Sequence, residues 1–133
     1  MLASPKQVAA LVAAFRRGTK LTYQKGEYIL RPGESPPGVF YIEKGLVKAY
    51  KLTKYGEDNL LHIRKDCEIF PLIWSITGQD REVIYQTLVP SVVWRLDRKE
   101  YISFIKGNPD ALPPFLDMVI EMYRLHSERI LNL

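Results

Sequence analysis

His62 and Cys67 lie five residues apart, and an imidazole with a thiolate is a ligand pair for borderline-soft metals. Two donors are a thin basis for a metal site. On a strand, His62 would lie opposite Leu61 and Ile63 as a surface histidine, and Cys67 would act as a small buried hydrophobe. The other histidine, His126, falls at a polar position of a terminal helix. A barrel enzyme that holds its metal through a cluster of His and Glu finds no support in two separated histidines, and no metal site is expected. Cys67 is the sole cysteine, so neither an internal disulfide nor a four-cysteine iron–sulfur cluster can form. No Ser/His/Asp or Cys/His arrangement carries a recognisable local motif, and the chain is not expected to be an enzyme. Arg81 is a candidate for binding an anion, since a guanidinium offers forked donors to a phosphate or carboxylate. Phe70-Pro71-Leu72-Ile73-Trp74 is an apolar run. Such a run either fills a core or lines a pocket suited to an apolar or aromatic effector.

These residues need a scaffold, and the chain is long enough for one. At 133 residues, 1–133 reads as a single domain that can bury a core without disulfides. The net charge of +4 is spread along the chain with no long basic run, so a nucleic-acid surface is not signalled. No apolar stretch approaches the roughly 20 residues that cross a bilayer, and no membrane partner is expected. Near the start, positive charge comes late, at Arg16 and Arg17, unlike an export signal. With one cysteine, a cytoplasmic location is expected.

Ser4-Pro5 is a helix start, and Val8, Leu11, Val12 and Phe15 form one apolar stripe with Gly18 as the expected stop. From Lys20 to Asp97 the period changes. Short aromatic and β-branched segments alternate with turns at Pro32-Gly33, Ser35-Pro36-Pro37-Gly38, Glu43-Lys44-Gly45 and Tyr55-Gly56-Glu57-Asp58. Leu21 and Tyr23 alternate with polar residues, further strands are expected over 28–30, 39–42, 46–52, 59–63, 83–88 and 92–96, and the roll is expected to hold about eight short strands in all. Asp97-Arg98-Lys99-Glu100 has a capping-box spacing and opens a short helix that ends at Gly107-Asn108-Pro109. Arg95, Arg98 and Lys99 decorate the end of the roll. A long helix is expected from about Asp110 to Leu133, with Pro113-Pro114 in its first turn. Within it Phe115, Met118, Met122 and Leu125 recur at spacings of three and four, the a/d pattern of a helix seam. A homodimer through 110–133 is the expectation; packing of that helix on its own roll is the alternative.

Gly26-Glu27, Gly33, Phe40-Tyr41-Ile42 and Gly45, then the Asp97 helix and the long terminal helix, make the chain resemble the sensor domain of the CRP/FNR family of transcription regulators. The resemblance implies a cyclic-nucleotide-binding-like β-roll, a dimerisation helix and a C-terminal winged helix-turn-helix. The winged part is absent from this chain, so DNA is an expected partner only through a domain beyond it. The family's phosphate-binding cassette carries a Gly-Glu pair, small residues, and later an Arg followed by Ser or Thr. Backbone N–H groups and the Arg neutralise the cyclic phosphate, and the Glu accepts a ribose hydroxyl.

The matching segment runs from Asp66 to Glu82. Counting back from Arg81, the Gly-Glu pair falls on Phe70-Pro71. Pro71 has neither an N–H nor a carboxylate, and Phe70 bars the close approach glycine allows. Glu82 stands where a hydroxyl is expected, and at about 4 Å, with an effective dielectric near 20, its repulsion of a phosphate costs about 4 kcal/mol. A second register puts Cys67-Glu68 in place of Gly-Glu, with the loop Thr77–Asp80 absorbing the extra length. The first register is preferred. In both, the departures argue against cyclic AMP.

The expected fold is α+β: an antiparallel double-stranded β-helix, a jelly-roll-like β-roll, flanked by an N-terminal helix, a short helix and a long C-terminal helix. The expected function is the effector-sensing and dimerisation domain of a CRP/FNR-type regulator. Its candidate pocket for a small-molecule effector is Phe70, Pro71, Leu72, Trp74, Arg81 and Glu82. Haem, which some relatives bind, is the minor cofactor alternative, with His62 and Cys67 as candidate ligands. A ligand-free dimerisation or interaction module is the alternative function.

Overall fold

Residues 5–108 are described in the computed structural model of the chain. Helix α1 (Pro5–Phe15) leads into strands β1 (Thr19–Tyr23), β2 (Tyr28–Leu30), β3 (Val39–Lys44), β4 (Leu46–Leu52), β5 (Asp58–Lys65) and β6 (Ile69–Phe70). Helix α2 (Leu72–Thr77), strands β7 (Ile84–Thr87) and β8 (Ser91–Leu96) and helix α3 (Arg98–Gly107) follow. The strands form two four-stranded antiparallel sheets, ordered β1-β8-β3-β6 and β2-β7-β4-β5. This is the expected jelly-roll-like β-roll. Strand β6 and helix α2 are additions to the elements expected from the sequence, where their short apolar run carried no period that separates a strand from a helix.

Strand β3 shows why the roll holds its helices. Successive side chains of a strand point to opposite faces. Phe40 and Ile42 enter the roll interior with Ile29, Leu30, Val47, Ala49, Phe70, Tyr85 and Val93. Val39 and Tyr41 face the other way and pack with Leu11 and Phe15 of α1, Ile69, Leu96, and Tyr101 of α3. A strand buried on both faces has no polar positions to spare, which is why Val39-Phe40-Tyr41-Ile42 reads as a continuous apolar run. Phe15 sits between Tyr41 and Tyr101, with ring centroids 5.5 and 5.7 Å away, and ties both helices to the sheet.

Two helix-end details differ from expectation. Helix α1 ends at Phe15, and Gly18 is no left-handed cap. It is glycine because a Cβ there would collide with the backbone carbonyl oxygen of Arg95 on β8. That strand pairs with the next residue, Thr19, so the backbone cannot retreat. Gly18→Ala is expected to cost about 3 kcal/mol, the upper end for overpacking, read as a lower urea midpoint at unchanged slope. At α3, Asp97 is the N-cap, as expected. Its carboxylate accepts from the Lys99 amide at 2.8 Å, and the return bond from Glu100 that would complete a capping box is not among the bonds of the described residues.

Candidate functional site

The segment expected to carry the cassette begins with a tight turn joining β5 to β6. The Lys65 amide donates to Glu68 Oε1 at 2.8 Å, and the Glu68 amide donates to the Lys65 carbonyl at 3.1 Å. The turn is pinned to β3 by Cys67 N–H to the Ile42 carbonyl (2.8 Å) and Ile42 N–H to the Glu68 carbonyl (3.0 Å). Cys67 adopts φ +69°, in the left-handed region, and is exposed. It is therefore a turn residue and not the small buried hydrophobe anticipated.

Phe70 then enters the roll interior. It is fully buried and stacked between Phe40 at 5.1 Å and Tyr85 at 4.7 Å. The Phe70–Pro71 peptide is cis, and Pro71 is the N-cap of α2, with no side-chain cap bond. The helix closes at Gly78, whose φ of +72° suits a left-handed cap and whose N–H reaches the Trp74 carbonyl at 2.8 Å. Arg98 covers the same end: Nε donates to the Trp74 carbonyl at 3.1 Å, Nη2 to the Ile76 carbonyl at 2.8 Å, and its guanidinium lies 5.8 Å from the Trp74 ring. Arg98 is thus a cap on α2 and not surface decoration.

Beyond α2, Asp80 organises the loop. Its Oδ1 accepts the Glu82 amide at 2.9 Å and its Oδ2 accepts the Ser35 hydroxyl at 3.1 Å. Glu82 is held at φ +56°, and both Arg81 and Glu82 are exposed. Of the candidate pocket residues, Phe70 lies in the roll core and Leu72 is buried at the start of α2. Trp74 packs in the helix-side cluster, and Arg81 and Glu82 lie on the outer loop. Sequence proximity does not bring these six onto one surface. The seam residues Phe115, Met118, Met122 and Leu125, the whole of 110–133, and His126 lie outside the described residues.

The inner face of the second sheet holds what the sequence reading placed wrongly. Side chains paired across an antiparallel ladder share a face. Ala49 pairs with His62 on one side and Tyr85 on the other; Val47 pairs with Arg64 and Thr87. Ala49, Val47 and Tyr85 belong to the roll interior, so His62 and Arg64 face inward with them. Leu61 is skipped where the register shifts between Ala49 and Tyr50, and Ile63 is left 47% exposed. Leu61 and Ile63 had been expected to face in; ladder pairing and the bulge override the apolar pattern. His62 is half-buried and has partners of its own, while Cys67 is exposed on the turn, so the two point to different environments.

Arg64 is 5% exposed. Burial lowers its pKa from the ordinary guanidinium value, while Tyr85 and Glu68 act the other way. Burial pushes the Tyr85 phenol up to about 12, partly offset by Arg64 and Arg81. The two guanidiniums therefore act on one buried phenol, Arg64 from β5 and Arg81 from the loop before β7. The strand expected from the sequence stops at Ile63, so Arg64 fell just beyond it and carried no signal, whereas β5 runs on to Lys65. A separate open groove of about 420 Å³, lined by Lys44, Gly45, Leu46, Lys65, Asp66, Val89 and Pro90, lies at the far end of β3 and includes none of the expected pocket residues.

A model of the cyclic nucleotide-binding domain matches residues 20–108. The Global nitrogen regulator of Synechocystis sp. is 26% identical over 129 residues, which cover 92% of this chain and 55% of the relative. The chain thus spans about half the length of that curated relative. Among solved structures, the Catabolite Activator Protein of Thermus thermophilus superposes with a TM-score of 0.75 at 15% identity, over 96% of this chain and 58% of that one. The sensor domain of the transcriptional regulator DNR from Pseudomonas aeruginosa gives 0.66 at 24% identity, over 98% and 83%. No helix among the described residues is long and apolar enough to cross a membrane.

Proposed function

The chain belongs to the cyclic nucleotide-binding domain family, with the fold of CRP/FNR-type regulators, and from that premise we propose that it is the effector-sensing and dimerising part of a DNA-binding transcription regulator whose effector is not a cyclic nucleotide. The observation that carries the second half is the Phe70-Pro71 step. In the preferred register it occupies the Gly-Glu position of the cassette. Proline supplies no amide to a phosphate, and the Phe70 ring is spent on the Phe40–Tyr85 stack. Glu82, adjacent to Arg81, adds like charge where a phosphate would sit. In this reading an effector between roll and terminal helix shifts the dimer seam at Phe115, Met118, Met122 and Leu125 and re-aims DNA-binding heads beyond this chain. A ligand-free interaction module is the reading left if no effector binds.

One set of thermal melts tests both halves. Across micromolar concentrations the melting temperature is expected to rise with protein concentration, because a dimer is favoured by mass action. Millimolar cyclic AMP or cyclic GMP is expected to leave it unchanged. A concentration-independent melt counts against the dimer. A nucleotide-dependent rise matching about 2.7 kcal/mol at about 100-fold over the dissociation constant overturns the altered-cassette reading.

A further inference from the structure

Arg64 is the one charged side chain in the buried set of the described residues, and it is 95% buried. Its Nε has no hydrogen-bond partner. No ion pair within 4.0 Å engages it among the described residues, whose pairs are Arg16–Glu43, Arg31–Glu34 and Lys48–Asp58. Glu68, the carboxylate whose charge reaches it, is committed to the Lys65 amide at 2.8 Å. A permanently charged guanidinium whose Nε is held out of water without an acceptor is costly to keep. Buried polar groups left unpartnered are rare enough that each calls for an explanation, an absent ion among them.

Its position supplies the explanation. Strand β5 is the edge of one sheet and β6 the edge of the other, and the 65–68 turn joins them. Arg64 thus sits on the inner face at the mouth between the sheets. Tyr85, acted on by Arg64 and Arg81 together, lies in the neighbouring row of the same face. The mouth has a cationic donor fork, the Tyr85 ring in the next row, and a second guanidinium, Arg81, on the loop outside.

We infer that Arg64 anchors an oxyanion site inside the mouth of the roll and takes the carboxylate or phosphate of a small-molecule effector. The inference rests on the effector-sensing reading above and names the chemistry of its ligand. A guanidinium fork matches either oxyanion bidentately. A single negative charge brought to Arg64 neutralises the buried cation, so binding removes a cost that the unliganded fold carries.

The test uses the whole chain in thermal melts at constant ionic strength. Benzoate and inorganic phosphate form two arms, with chloride as control and cyclic AMP as a third arm. Wild type is expected to rise by about 3 °C or more in benzoate, in phosphate or in both, and the arm that responds identifies the oxyanion. Arg64→Met, which keeps volume and removes charge, is expected to melt at or above wild type in chloride and to lose the rise. Arg64→Lys, which keeps the charge but not the fork, is expected to weaken the response at least tenfold in anion concentration, and it serves if the Met variant fails to fold. A rise that survives in Arg64→Met or Arg64→Lys, or no rise in wild type with either anion, overturns the assignment of Arg64. A rise with cyclic AMP that depends on Arg81 and not on Arg64 overturns the altered-cassette reading instead, so the two failures are told apart.

Discussion

Phe70→Ala is expected to lower the unfolding free energy by about 3–5 kcal/mol, the range for truncating a buried aromatic side chain. Phe70 is fully buried and its ring faces Phe40 at an interplanar angle of 10° and Tyr85 at 24°. Aromatic pairs add about 0.5–1.5 kcal/mol beyond area alone. Truncation also leaves a cavity that β6, only Ile69–Phe70 long, cannot close by shifting against β3, since Phe40 and Tyr41 fix its register. For a chain of this length the melting temperature would fall by roughly 10–20 °C. Urea unfolding of Phe70→Ala and Phe70→Leu checks this, with the Leu variant expected to lose much less. A loss below about 1.5 kcal/mol for Phe70→Ala would mean that the ring borders open space, as a pocket-lining residue does, and is not packed as core.

Raising the pH above 10 is expected to unfold the protein steeply. Burial pushes the phenols of Tyr85 and Tyr50 up to about 12, the latter with help from a hydrogen bond to Tyr28. Tyr41 and Tyr101 are also raised, again mainly by burial. A free tyrosine titrates near 10. With a folded pKa above the unfolded one, the folded state holds its proton longer. The stabilisation is therefore complete below pH 10 and is lost as pH climbs through about 12. Tyr85 alone accounts for about 2–3 kcal/mol of that loss, at about 1.4 kcal/mol per pH unit. Urea midpoints at pH 8, 9.5, 10.5 and 11.5 are expected to be level at first and then fall. Tyr85→Phe should reduce the alkaline slope by one group. A midpoint that holds steady through pH 11.5 would show that these phenols are not kept neutral by the fold.

The roll was legible because turns and apolar runs are local properties. Pro32-Gly33, Gly45 and Gly56 interrupt the apolar segments, and the left-handed glycines at 26, 33, 45 and 56 confirm where the chain must reverse. The fold class, the placing of Asp97 at a helix start and the doubly apolar β3 all follow from residue type and period. The site was less legible. Glu82 and Cys67 hold positive φ that residue type does not announce, and Trp74 and Arg98 meet only because α2 and α3 pack end to side.

Arg64 marks the boundary between the two kinds of information. Read along the chain, Leu61 and Ile63 are the apolar residues of the strand, His62 belongs outside, and Arg64 lies past its end. The ladder to β4 and the bulge at Leu61 reverse this, and a one-residue shift in a strand sends every side chain to the other face. The sequence by itself determined the roll, its family resemblance and the departure from the Gly-Glu cassette at Phe70-Pro71. Only the tertiary structure decided that Phe70 is core and that a guanidinium lies inside the mouth. Strand register depends on partners distant in sequence, and burial on everything packed around them.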